Sequence, residues 1–100
     1  MRAGAMTIEP DALAYLDVLY GRASLLAGRV DHFLDLLEED PHAPEVHNRA
    51  HVLKDSNGEN FSGVSVRTAT DDAMILWRTE STGDQVVVRI IYIGDNALRL

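Results

Sequence analysis

The chain has 100 residues, 46% of them hydrophobic and 25% charged, the make-up of one small globular domain. No run approaches the ~20 apolar residues that span a bilayer, and with no cysteine there can be no disulfide, thiolate metal site or cysteine nucleophile. Sixteen acidic against nine basic residues give a net charge of -7, with the acid excess on both sides of Leu53, which argues against a protein that coats nucleic acid through phosphate neutralisation.

Residues Met1–Met6 lead into Thr7, Ile8, Glu9 and Pro10 and not into an apolar stretch, so no secretory leader and a cytoplasmic location are expected. A short strand near Ala5–Ile8 is expected to join whatever sheet the chain forms. Pro10 suits the first position of a helix, where its missing N–H costs nothing, and Asp11 complements the positive end of the helix dipole. Leu13, Leu16, Leu19 and Tyr20 recur at helical spacing up to a stop or hinge at Gly21. A second helix is expected from Arg22 to Glu39, with Leu26, Val30, Phe33, Leu34 and Leu37 on one face. Pro41 ends it. The acidic run Glu38-Glu39-Asp40 is the wrong sign for a helix C-terminus and reads as a solvated end, or else as a contact for a basic partner.

A polar connector from Pro41 to Asn60 follows, with room for a short helix after Pro44 and a turn at Asn57-Gly58. His47 and His51 stand four apart; on one helix they could offer two imidazoles to zinc, but no third ligand is specified and ordinary connector histidines are favoured. Beyond the connector the hydrophobic period changes from 3.6 to 2. Strands are expected at Phe61–Thr68, Ala73–Glu80 and Gln85–Ile93, joined by short turns into an antiparallel meander.

Side chains alternate across a strand, so this meander has two unlike faces. With two- or four-residue turns, Arg78 lies opposite Gly63 on one side and Val87 on the other. One face then carries Val64, Val66, Ala73, Ile75, Trp77, Val86, Val88, Ile90 and Tyr92, uncharged and suited to cover by two helices. On it Trp77 is read as core and not as a platform for a nucleobase. The opposite face carries Arg67, Arg78 and Arg89, together with Ser65, Glu80, Gln85 and Ile93. These arginines are either surface residues paired with Glu80 or an anion-contacting surface, since guanidinium forks fit phosphate and carboxylate. The fold class is α+β, with two N-terminal helices on one face of a three- to four-stranded antiparallel sheet.

The order helix–helix–connector–meander resembles the RelE/ParE superfamily of toxins in bacterial type II toxin–antitoxin systems. The residues that carry the resemblance are Pro10-Asp11-Ala12-Leu13-Ala14-Tyr15-Leu16, Leu36-Leu37-Glu38-Glu39-Asp40-Pro41, Val52-Leu53-Lys54, Gly63-Val64-Ser65-Val66-Arg67, Met74-Ile75-Leu76-Trp77-Arg78 and Val86 to Gly94. The resemblance implies a toxin-like protein held silent by a cognate antitoxin. It would act by metal-independent, ribosome-dependent cleavage of mRNA, or by binding a target such as DNA gyrase. Arg67 matches the family's phosphate-contacting arginine, and Lys54 the basic position before that strand. Arg78 and Arg89 join Arg67 as catalytic candidates by face alone, with Ser65 and Gln85 as further RNA contacts beside Lys54. No cofactor or metal is implied. The catalytic set is degenerate: Asp71-Asp72-Ala73-Met74 replaces an arginine-bearing strand opening, and Asp95-Asn96 replaces a basic pair. The alternative is a catalytically inactive interaction module of the same fold, in complex with a partner or as a homodimer, without toxicity.

Overall fold

The computed structural model describes residues 6–22 and 25–100. Strand β1 (Met6–Ile8) leads through Glu9 into helix α1 (Pro10–Gly21), with Pro10 in the first turn and no side-chain cap. Ala12, Leu16 and Leu19 form its buried stripe. Helix α2 (Leu25–Glu39) buries Leu26, Ala27, Val30, Phe33, Leu34 and Leu37, a spacing that only a 3.6-residue period gathers on one side. The expected start at Arg22 differs: Arg22 ends α1, and residues 23–24 lie outside the described residues. Past α2, the Asp40 carboxylate accepts the His42 N–H at 2.9 Å, turning the chain at Pro41.

The connector is more ordered than its polarity suggests. It holds helix α3 (Pro44–Arg49) and an additional strand, β2 (His51–Lys54), the latter not anticipated from sequence. Strands β3 (Asn60–Arg67), β4 (Asp72–Thr82) and β5 (Gln85–Gly94) complete a five-stranded sheet in the order β1-β5-β4-β3-β2. The α+β class stands, but the sheet is larger than three or four strands and is mixed, because β1 runs parallel to β5 while every other pair is antiparallel. Ala5, expected in the first strand, lies outside the described residues.

Helix α1 lies over β5, and α2 over β3 and β4. The core between helices and sheet holds Val64, Val66, Ala73, Ile75, Trp77, Val88, Ile90 and Ile93, with the Phe33 and Trp77 rings tilted at 55° and 5.5 Å apart. Trp77 is core, as its face implied.

The register differs from the expected one in its turns and at a bulge. The β4–β5 turn has only two residues: Gly83 has φ +61° and Thr82 pairs with Gln85, the arrangement of a type II′ turn. Arg78 therefore faces Arg89 and not Val87. Ser62 pairs with Trp77, so Arg78 sits beside Phe61 and not Gly63. Both shifts are by two residues, and the faces survive them. Between Leu76 and Trp77 the partner jumps from Tyr92 to Ile90, leaving Ile91 as a bulge. One extra residue reverses the alternation beyond it. Ile93, expected on the arginine face, enters the core, and Tyr92, expected in the core, joins Leu76 on the other side.

Candidate functional site

Arg67, Arg78 and Arg89 do share the sheet face turned away from the helices, because Ser65 pairs with Met74, and Arg78 with Arg89. They do not share a site. Arg67 pairs with Asp72, and Arg78 lies six residues further along β4, about 20 Å away at ~3.3 Å per residue.

Each guanidinium is engaged separately. Arg67 donates from Nε to Ser65 Oγ at 3.1 Å and from Nη2 to the main-chain oxygen of Leu100 at 2.9 Å. Asn96 holds that segment, accepting the Leu100 N–H at 3.0 Å, while its own amide donates to Asp72 at 3.2 Å. Residues 95–100 thus fold back on the face expected to be open, and Leu100, Leu76 and Leu53 close over Gly63, where a Cβ would come within 2.6 Å of the Leu100 side chain. A broad depression of about 600 Å3 beside Arg67 is lined by Thr68, Thr70, Asp71, Asp72 and Asp95. Three carboxylates line the same depression as Arg67.

Arg78 is more strongly held. Its Nη2 lies 2.7 Å from Asp55 Oδ2, its Nη1 donates to the Asn60 carbonyl at 3.1 Å, and Glu59 is 3.7 Å away. The guanidinium sits 5.6 Å from the Phe61 ring centroid. Asp55 also accepts the N–H groups of Asn57 and Glu59, shaping the turn around Gly58. The hydrogen bond from Arg78, and then that from the Glu59 N–H, hold the Asp55 carboxyl below its ordinary value. Arg89 lies 3.4 Å from Glu80 and 3.6 Å from Glu9, in looser, exposed pairs.

Comparison with family models, with curated proteins and with solved structures finds no match for this chain.

The remaining expected contacts are dispersed. Lys54 pairs with Asn60, one residue on from Leu53 and Phe61, and so faces the opposite side of the sheet from the arginines. Gln85 shares the arginine face but closes the β4–β5 turn, about 33 Å along β4 from the Arg67 row. Ser65 alone is brought to Arg67. His47 lies in α3 and His51 in β2, so the two imidazoles do not share a helix face. Among the described residues no group of three or more His, Asp or Glu side chains is placed to hold a metal ion.

His51, which pairs with Gly63, brings an imidazole to this face. The phenols of Tyr92 and Tyr15 are both raised above their ordinary value, by burial first and then by the charge of Asp95, so neither gives up a proton near neutrality. The Tyr92 hydroxyl donates to the Asp95 carbonyl at 2.8 Å. Sequence reasoning missed Asp55 and Glu59 as partners of Arg78. The Asp55-Ser56-Asn57-Gly58 turn was the available signal, since an aspartate that opens such a turn has one oxygen left for a cation.

Proposed function

We propose that this chain works by binding, as a RelE/ParE-like interaction domain that docks a protein partner through the arginine-bearing side of its sheet, and that it does not cut RNA. The observation that carries this reading is the neutralisation of the face. Arg78 is matched by Asp55 and Glu59, Arg89 by Glu80 and Glu9, and Arg67, bonded to Ser65 and to the Leu100 main-chain oxygen, shares its depression with Asp71, Asp72 and Asp95. Phosphate binding needs uncompensated cations, and in-line attack by a ribose 2′-OH needs an acid and a base beside them. A surface of alternating signs suits a protein interface instead, where complementary charge sets register and partner choice. The retained order of two helices, connector and meander supports the family likeness, with target binding as the family's non-cleaving mode.

The experiment is induced expression of the chain together with an assay of purified protein on translating ribosomes, scoring growth and message integrity. Intact messages, for the natural chain and for Arg67→Ala alike, are expected. Ribosome-dependent cleavage that collapses in Arg67→Ala overturns the proposal. Growth arrest with intact RNA identifies the docked partner as an essential one, whereas unimpaired growth identifies a non-toxic module.

A further inference from the structure

On the helix side of the sheet, the outer edge of β3 is only half covered. β2 pairs with Asn60–Gly63, and the edge continues past it to Arg67. Here α2 approaches, and Arg29 Nη1 donates to the Arg67 carbonyl at 2.7 Å. From the end of α3, Arg49 lays its guanidinium 4.8 Å from the centroid of the Phe33 ring. The cavity between them, about 260 Å3, is lined by Gly28, Arg29, His32, Arg49, Val66 and Arg67.

Two features of this cavity are unexplained by folding. The first is its charge. Arg78 and Arg89 each sit beside two carboxylates, yet Arg29 and Arg49 have none within ion-pair distance among the described residues, in a chain with sixteen acidic residues. Asp31, on the same helix, turns to the Tyr20 hydroxyl at 2.6 Å. The second is Gly28. A glycine inside a helix costs about 1 kcal/mol relative to alanine, and a Cβ at Gly28 would meet nothing within 4 Å. Packing does not require it. Gly28 is exposed at the mouth of the cavity, and its missing side chain leaves that mouth open.

We propose that this cavity binds a phosphomonoester dianion. Two guanidiniums match its charge. Arg29 keeps most of its five N–H donors after its one bond to Arg67, and stacking on Phe33 leaves the rim of Arg49 facing outward. Placed on two sides of the opening, with the His32 imidazole as a third donor, they can share three terminal oxygens. The site lies across the sheet from Arg67's guanidinium, Arg78 and Arg89, and so stands independently of the docking proposal.

The test is a backbone-amide NMR titration of the full chain at fixed ionic strength, with inorganic phosphate in one arm and ribose 5-phosphate in the other. Saturable shifts centred on Gly28, Arg29, His32, Val66 and Arg67 are expected; tighter binding of the ester identifies a phosphorylated metabolite as the source, and equal binding identifies free phosphate. Arg49→Ala and Arg29→Ala should each weaken binding by about tenfold or more, as loss of one charge-assisted fork requires, with Arg22→Ala unchanged. Gly28→Leu should melt no lower than the natural chain and still lose binding, which separates occlusion of the cavity from misfolding. Shifts that fail to saturate in both arms, or an affinity unaltered by Arg49→Ala in a folded variant, overturn the proposal.

Discussion

Met74 and Ile75 are neighbours on β4 and both are buried, but by different parts of the chain. Ile75 points into the layer beneath α1 and α2, where Val30, Phe33, Leu34 and Leu37 are wholly covered. Met74 points the other way, between Ser65 and Gly94, on the side where Leu76, Leu53 and Leu100 close around Gly63. The first side is built from long-range packing of two amphipathic helices. The second is built from short side-chain contacts, ion pairs and one folded-back segment. A single sheet thus has one side that holds the domain together and one that is trimmed to a polar, mixed-charge surface.

Phe33→Ala should lose about 3–5 kcal/mol in urea unfolding, the usual cost of removing a buried aromatic ring, because it also strips the partner of Trp77 and the seat of Arg49. Ile75→Ala and Met74→Ala then measure the two sides directly. Both changes fall in a range of about 2–5 kcal/mol; Ile75 should sit near its top and Met74 near its bottom, since the side away from the helices can collapse onto a vacancy. Equal losses would show that this side is as firmly packed as the helix-covered one.

Smaller effects belong to the charges. Since Asp55 is held below its ordinary 3.8 in the folded chain, the unfolded chain binds that proton more readily. Its contribution is present above about pH 4 and is lost as pH falls through the lowered value. Asp55→Asn should therefore melt below the natural chain at neutral pH, with the gap closing on acidification. Arg89→Ala should cost least, about 0.2–1 kcal/mol, as its pairs with Glu80 and Glu9 are long and exposed.

The helices were legible because Leu26, Val30, Phe33, Leu34 and Leu37 admit only one period. The shared face of Arg67, Arg78 and Arg89 was legible because errors of two residues in a turn leave parity intact. Tyr92 and Ile93 were misplaced because a bulge inserts one residue, and no local signal in Val86–Gly94 announces where the ladder slips. β2 was missed because its four residues alternate weakly and owe their strand to pairing with β3. The candidate site was the least legible part: sharing a face says nothing about distance along a strand, nor about which carboxylate a loop will deliver to a guanidinium.

Periodicity acts over a few residues, so the amino-acid order alone determined the α+β class, the helix faces, the strand-rich second half and the side on which the arginines stand. Only the tertiary structure decided that β1 runs parallel to β5, that Asp55 and Glu59 reach Arg78, that the last residues cover Gly63, and that Arg29 and Arg49 meet across one cavity. Those outcomes depend on segments far apart in the chain finding one another, through packing and charge pairing that no local window contains.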